Sequence, residues 1–320
     1  MPPLSTRRLS SGDLVADRRL EMARDYAAAG EPVAAAELME QALELVPDWA
    51  AGWFALAEFR ETAAGRGGPE ADAAREGAVA AYREALRLDA DDHCGATLRL
   101  ARLGAAPAPD APPPAHVRDL FDGYADRYEA SLVAALGYRG PELIAALLDA
   151  RAAGRRFAAA LDLGCGTGLM APVIRPRVER LDGVDLAPAM VAKARARGLY
   201  DGLEVGDVVA AMAARTAASL DLLVAGDVFC YLGDLTAVFV AAARVAAPGA
   251  VFVFTAEAVG DDEPGGEVVL RDSLRWAHRR RHLEAVAANA GFRIETIEAA
   301  TLRRDRGCDV AGHVALLTRT

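Results

Sequence analysis

A regular alternation of strand and helix patterns between residues 157 and 255 constrains the fold of this chain most strongly. Short apolar runs predict strands, and amphipathic runs between them predict helices. The predicted strands are 157–163, 181–185, 202–205, 220–225 and 250–255, and the helices between them are 169–178, 188–197, 208–217 and 235–245. This alternation predicts an α/β fold with a Rossmann-like, doubly wound, mostly parallel sheet of seven strands.

A parallel sheet of this kind also predicts where functional residues lie. Ligands bind outside the carboxyl ends of the strands, where the loops into the following helices converge. We therefore expect functional residues directly after positions 163, 184, 205 and 225.

The first third of the chain has a different, repetitive pattern. Helices are predicted at 16–29, 33–46, 49–62 and 70–88, and Ala42-Leu43-Glu44-Leu45 recurs as Ala85-Leu86-Arg87-Leu88 before an acidic turn. The first pair fits a period of about 34 residues, and such helix pairs resemble tetratricopeptide (TPR) repeats. Residues 12–104 are therefore predicted to be an all-α, TPR-like domain that packs on a neighbour, binds a protein partner or self-associates.

A proline-rich segment, 107–114, separates the two patterns. Its prolines remove helix-forming donors and favour an extended linker. We place the linker at 105–115 and the α/β domain at 116–320, with leading helices at 116–136 and 141–153.

Charge and cysteine content narrow the function classes. The formal net charge is -10, which disfavours a phosphate backbone as the main partner. Arg279-Arg280-Arg281, with Arg271 and Arg275, is the densest basic cluster, and we interpret it as a solvated helix start or an ion-pair site. The four cysteines are scattered without zinc spacing, so no metal is predicted. No signal or membrane-spanning pattern is found, and the expected location is the cytoplasm.

The loop after the first predicted strand carries the strongest functional signal. Asp162-Leu163-Gly164-Cys165-Gly166-Thr167-Gly168 runs from a strand into a helix, and its glycines allow a tight turn and close approach to a ligand. A dinucleotide is the competing ligand. However, the spacing is G-x-G-x-G, and Asp162 would repel a pyrophosphate but could accept from an ammonium group.

The block LDLGCGTG resembles motif I of class I S-adenosylmethionine (SAM) dependent methyltransferases, including TPR-containing members. The resemblance implies SAM as cofactor. It also implies that Asp185 and Leu186 face the ribose, and that Asp207 and Val208 face the adenine. The alternative for Asp185 and Asp207 is a helix N-cap. The cofactor-site residues predicted from the loop and this resemblance are Tyr124, Asp162, Gly164, Cys165, Gly166, Gly168, Asp185, Leu186, Asp207, Val208 and Asp227.

The segment FDGYADRY, residues 121–128, resembles the helix that folds over the cofactor in many small-molecule methyltransferases. The resemblance places Tyr124, and less firmly Tyr128, near the methionyl end of SAM. The alternative is that the two tyrosines, four positions apart, only pack on each other.

Methyl transfer needs little acid-base chemistry, but a hydroxyl acceptor would need a base. The candidate catalytic residues are Asp227, Tyr231 and His278. We expect a small-molecule acceptor in a pocket covered by Tyr124, Phe229, Tyr231 and residues 276–278. The alternative is a scaffold or protein-directed enzyme whose repeats recruit a partner.

Overall fold

The computed structural model describes residues 10–129, 136–260, 262–305 and 307–320. The chain divides into two compact units, Met1–Gly123 and Tyr124–Thr320. We call them the helical unit and the sheet unit.

The described part of the helical unit contains only helices. They are α1 (Leu14–Ala28), α2 (Pro32–Leu45), α3 (Ala50–Ala64), α4 (Ala71–Leu88), α5 (Ala96–Arg102) and α6 (Pro114–Tyr124). Asp13 caps α1 by accepting from the amides of Val15 and Ala16 at 2.7 and 2.9 Å. Pro32 opens α2, where its missing N–H costs no helical hydrogen bond.

Small side chains allow the helices of this unit to pack closely. Buried alanines occur on α1 to α4, and the larger buried side chains include Met39, Leu56 and Tyr82. The Tyr82 hydroxyl donates to Glu61 at 2.6 Å, which satisfies a polar group that packing would otherwise leave without a partner.

The boundary region differs from the predicted linker and leading helix. The helix α6 begins at Pro114 and ends at Tyr124, and residues up to Gly123 group with the helical unit. Gly95, with φ +81°, lies against His116 of α6, where an added Cβ would come within 2.7 Å of the ring. The predicted helix 116–136 is thus interrupted by a turn at 125–127; residues 128 and 129 are helical again, and residues 130–135 lie outside the described part.

The sheet unit alternates strands and helices as predicted. Its helices are α7 (Gly140–Arg151), α8 (Ala171–Ile174), α9 (Pro188–Ala196), α10 (Val208–Ala214), α11 (Thr236–Val245) and α12 (Arg280–Asn289). Its strands are β1 (Phe157–Leu163), β2 (Val178–Asp185), β3 (Gly202–Val205), β4 (Leu220–Ala225), β5 (Ala246–Ala258), β6 (Val268–Leu270), β7 (Trp276–His278), β8 (Phe292–Asp305) and β9 (Cys308–Arg319).

The strands form one mixed sheet. β1 to β5 are parallel in the order β3-β2-β1-β4-β5, β9 pairs antiparallel with β5, and β8 pairs antiparallel with β9. A short hairpin, β6 and β7, continues the sheet where β7 pairs with Glu257 and Ala258 of β5. The order reverses between β1 and β4, so the carboxyl ends of these strands form the crevice where such sheets bind ligands.

Two details of the predicted sheet unit are wrong. The described sheet has nine strands instead of seven, because β6 and β7 are added at the end of β5. The predicted helix 169–178 is reduced to α8 and a 3-10 turn, Arg175–Arg177, since Pro176 interrupts it and β2 already begins at Val178.

Apolar side chains cover both faces of the sheet. One face packs Phe239, Phe252 and Phe254 against Phe229, and Phe292 packs on Phe239 and Phe252. The other packs α7 and α8 against Leu222, Val224 and Val253. Among the described residues, no helix has both the length and the apolar character needed to cross a membrane.

Candidate functional site

The glycine loop turns directly from the end of β1 into the crevice. The Cys165 amide donates to the Val184 carbonyl at 2.9 Å, and the Gly168 amide donates to the Cys165 carbonyl at 2.8 Å. Cys165 is buried, and burial raises the pKa of its thiol, so it acts here as a packing residue.

The glycines of the loop serve two different purposes. Gly164 and Gly166 both have positive φ, +65° and +53°. A Cβ at Gly164 would lie 2.5 Å from Val228 Cγ2, whereas a Cβ at Gly166 would meet nothing within 4 Å. Gly164 therefore permits close packing on the segment after β4, and Gly166 leaves open space beside the backbone.

Asp185, at the end of β2, is joined to this loop. Its carboxylate accepts from the Gly166 amide and the Ala187 amide, each at 2.9 Å. An ionised carboxylate has about four lone-pair positions, so these two bonds leave acceptor capacity for ligand hydroxyls. Leu186 follows at a half-buried position. The predicted juxtaposition of Asp185 with the glycine loop is thus present.

Asp162 lies beneath the loop rather than on its surface. It is 2% exposed, and its carboxylate accepts from the Tyr200 hydroxyl at 2.6 Å. Burial raises its pKa to about 7, with a smaller contribution from the charge of Asp185 and an opposing one from Tyr200. The group therefore changes charge near neutral pH.

Asp207 takes the alternative role that the sequence left open. It is exposed, and its Oδ1 accepts from the amides of Val209 and Ala210 as the N-cap of α10. Val208 is partly buried against the sheet core. The adenine contact at these two residues stays a prediction.

A small cavity of about 30 Å³ lies over the loop. Its walls include Gly164, Gly166 and Asp162 together with Tyr128 and Tyr138. Burial raises the pKa of the Tyr128 hydroxyl well above its usual value, and the charges of Asp227 and Asp185 raise it further. Tyr124 contacts the Tyr128 ring edge-on at 5.8 Å between centroids, so it is Tyr128, not Tyr124, that lines the cavity.

Four charged side chains form a closed set, which we call the ion ring: Asp227 after β4, Glu257 near the end of β5, Arg275 before β7 and Arg303 on β8. Asp227 accepts from Arg275 at 2.7 Å and from Arg303 at 3.1 Å. Glu257 lies 2.5 Å from Arg303 and 3.3 Å from Arg275. The two guanidinium groups neutralise the two carboxylates, as burial requires.

Asp227 is therefore not in a position to act as a general base. Both of its oxygens are engaged by guanidinium groups, and its backbone has φ +59°, a strained value for a non-glycine residue. Tyr231 lies beside the ring, with the Arg275 guanidinium 4.7 Å from its ring centroid. Burial raises the pKa of its hydroxyl, so it is neutral at physiological pH.

His278 and Phe229 are not at the predicted pocket surface. His278 is fully buried, its Nε2 lies 3.1 Å from the Phe229 carbonyl, and burial lowers its pKa to about 4. Phe229 and Trp276 are also buried, at 0% and 2% exposure. These side chains belong to the core because β7 extends the sheet, and none of them lines the cavity over the glycine loop.

The arginine cluster is an ion-pair site, one of the two interpretations of the sequence. Arg271 pairs with Glu263, Arg280 with Glu284, and Arg281 with Glu267. Arg279 donates to backbone carbonyls of the loop before β6. Each of these cations has a partner within the unit, which leaves little of this cluster for a phosphate backbone.

One set of metal-type ligands occurs in the described residues, Asp227, Cys230 and Glu257, whose ligand atoms lie within 4.8 Å of one another. Arg275 and Arg303 already neutralise both carboxylates there, and burial raises the pKa of the Cys230 thiol. The set therefore belongs to the ion ring, and it gives no reason to assign a metal.

Comparison with known proteins agrees with this arrangement. A family model described as a methyltransferase domain matches residues 161–254. The chain is 31% identical over 125 residues to the malonyl-[acyl-carrier protein] O-methyltransferase of Serratia marcescens, and 33% identical over 113 residues to a ubiquinone biosynthesis O-methyltransferase of Hahella chejuensis. These matches span 39% and 34% of this chain, and 46% of each relative.

A solved chain from a complex of the Haloferax volcanii Trm112 methyltransferase activator has the same fold. The TM-score is 0.50 at 17% identity, covering 63% of this chain and 96% of that one. The segment that carries the glycine loop is thus the part of the chain that resembles a methyltransferase domain. The chain spans about half the length of these two relatives.

The sequence pattern did not identify several residues of the site. Tyr138 and Tyr200 are isolated tyrosines outside any motif, and Glu257, Arg275 and Arg303 are far apart along the chain. A buried carboxylate at a strand end does require a donor, but nothing in the sequence says which one.

Proposed function

We propose that this protein is a SAM-dependent methyltransferase that acts on a small-molecule acceptor. The observation that carries the proposal is the glycine loop, held to Asp185 by the Gly166 amide, with open space beside Gly166 and the cavity above it. The methyltransferase-domain match over this segment supports it. The two relatives described above are named as O-methyltransferases.

The residues of this chain fit the cofactor. SAM, when bound, supplies an activated methyl group with a good leaving group. Asp185 would accept from the ribose hydroxyls with its remaining lone pairs, and Asp162 lies where its carboxylate can balance the ammonium of the methionyl part. Backbone groups at Gly164 and Gly166 approach the ligand, while Asp207 and Val208 would border the adenine. Tyr128 and Tyr138 would exclude water from the cavity.

Binding by an Asp185→Asn variant tests this assignment. We expect SAM and S-adenosylhomocysteine (SAH) to bind about ten- to a hundred-fold more weakly, because an amide accepts hydrogen bonds from ribose hydroxyls less strongly than a carboxylate. Asp182→Asn is the matched control, since Asp182 lies on the same strand but pairs with exposed Arg180. Equal affinities of the Asp185 variant and the wild type would remove Asp185 from the site.

The helical unit supports a second, independent proposal. Its helices occupy the predicted positions of two TPR-like pairs, and α1 exposes Leu14, Val15, Met22 and Tyr26 at 45–81%. An apolar helix face of this kind favours a protein partner, either a second copy or another chain. We expect Met22→Glu with Tyr26→Glu to abolish such association in sedimentation measurements without changing SAH binding.

The proposed location is the cytoplasm.

A further inference from the structure

Arg197, the residue that follows the last turn of α9, connects the glycine loop to the segment that carries Tyr128. Its Nε donates to the Thr167 carbonyl at 2.6 Å, and its Nη2 donates to Glu129 Oε1 at 2.6 Å. Thr167 and Tyr128 both line the cavity over the loop, and Glu129 is the next residue after Tyr128. One planar guanidinium with several donors thus joins the loop to the neighbour of the tyrosine opposite.

The third glycine of the loop makes room for this arginine. Gly168 has φ +85°, and a Cβ at this position would lie 2.9 Å from Arg197 Cδ. The aliphatic stem of Arg197 therefore passes close to the loop backbone, where any side chain would displace it. Gly166 differs in this respect, because a Cβ there would meet nothing within 4 Å. The loop is shaped to accept Arg197.

A second ion pair ties the same segment to α9. Lys193 lies one turn before Arg197 on the same face of the helix, and its Nζ is 2.9 Å from Asp126 Oδ1. Residues 125–129 and α9 line a groove together, and both ion pairs lie in it. The side chains of the Lys193 pair are 39% and 96% exposed, compared with 27% and 44% for Arg197 and Glu129. Solvent and salt screen the outer pair more strongly, so Arg197 contributes the larger part of the attachment.

We propose that Arg197 is a positioning residue of the cofactor site: by joining Thr167 to Glu129, it holds Tyr128 over the bound cofactor. This inference rests on the proposed methyltransferase function and deepens it. Arg197 lines the groove beside α9 and not the cavity over the loop, so it acts through Tyr128 and not on the ligand. Both ends of α9 then serve the cofactor, since Asp185 precedes the helix and Arg197 follows it.

This arrangement predicts how the cofactor leaves. A ligand covered by Tyr128 is released when the segment moves aside, and partly exposed ion pairs are weak enough to open and close repeatedly. Loss of either half of the Arg197–Glu129 pair should therefore speed the release of the cofactor product.

The test measures the dissociation rate of SAH from the full chain by surface plasmon resonance. We expect Glu129→Gln to release SAH about five-fold faster than the wild type, because it loses a charge-assisted hydrogen bond. Arg197→Gln should have a larger effect, since it also loses the bond to the Thr167 carbonyl. Arg195→Gln is the matched control, because Arg195 is an exposed arginine on the same helix, and it should leave the rate unchanged.

Two further variants separate positioning from a general loss of stability. If Arg197 and Glu129 act as one unit, the double variant should release SAH no faster than Arg197→Gln alone. In a Tyr128→Ala chain, which lacks the covering ring, Glu129→Gln should have no further effect on the rate. A general weakening of the fold would instead speed release in both backgrounds.

The outcomes separate this inference from the proposed function. If the wild type does not bind SAH, the proposed function fails and the role of Arg197 fails with it. If the wild type binds SAH, the inference alone is overturned when Glu129→Gln releases it at the wild-type rate, or when Glu129→Gln is equally effective in the Tyr128→Ala chain. Glu129 is partly exposed, so this variant keeps the test decisive even if Arg197→Gln does not fold.

Discussion

At the scale of single residues, three positions around the glycine loop are constrained for different reasons. Gly164 must lack a side chain because Val228 lies against it. Gly166 has open space beside it, so a side chain there would be excluded only by a bound ligand. Asp162 is buried and bonded to a neutral tyrosine, so its charge is costly. Each of these demands can be tested separately.

Alanine substitutions distinguish the two glycines. Both impose a positive φ on a residue with a Cβ, which costs about 1 kcal/mol. At Gly164 the Cβ would also overlap Val228, so we expect Gly164→Ala to lower the thermal midpoint clearly more than Gly166→Ala does. Gly166→Ala should instead weaken SAH binding more than it lowers stability. Equal effects of the two variants on stability and on binding would contradict these roles.

The raised pKa of Asp162 predicts that its contribution to stability depends on pH. Its folded-state pKa is raised from 3.8 to about 7, so the folded chain holds a proton that the unfolded chain loses. Its favourable contribution is therefore complete at pH 4 and is lost as the pH rises to about 7, by up to about 4 kcal/mol. In Asp162→Asn, chemical denaturation should show a stability that rises relative to wild type between these pH values. A constant difference would contradict the raised pKa.

At the scale of elements, the sequence predicted the bounds of three strands of the sheet unit, whereas β2 and β5 begin earlier than predicted. The bounds of β1, β3 and β4 agree with the predicted ranges. The hairpin β6 and β7 was missed because each strand has three residues, too few to show a period. The ion ring could not be predicted either, since Asp227 and Arg303 are 76 positions apart and only the folded sheet brings them together.

The ion ring predicts a strong asymmetry between single and double substitutions. Arg303→Met leaves Arg275 as the only cation against two buried carboxylates, Asp227 and Glu257, and we expect a loss of about 3–5 kcal/mol in the free energy of unfolding. Adding Glu257→Gln should restore a large part of this loss, because Asp227 and Arg275 then remain as a neutral pair. Arg304→Met, next in the chain but in an exposed pair with Asp309, should change stability by less than about 1 kcal/mol. A double variant as unstable as the single one would contradict the ring.

At the scale of the whole molecule, the two units have separate cores, and the candidate site lies in the sheet unit. The loop, Asp185, the cavity and the ion ring all fall within Tyr124–Thr320. The sequence predicts a boundary at 105–115, whereas the two units meet at Gly123 and Tyr124, and it predicts the glycine loop directly after β1, where it lies. It could not assign α6 to the helical unit, because that depends on contacts such as Gly95 against His116.

Removal of the repeats tests the division. A chain that begins at residue 105 should bind SAH with the affinity of the full chain if the helical repeats serve only partners. Loss of cooperative unfolding in circular dichroism would show instead that the repeats are needed for the fold of the rest.

The most direct test of the account is a calorimetric titration of the full chain with SAM and SAH beside NAD. The spacing of the glycine loop, the buried Asp162 and the acceptor capacity of Asp185 predict that SAM and SAH bind at a single site and that NAD does not. Binding of NAD, or of none of the three, would contradict the assignment of this loop to SAM.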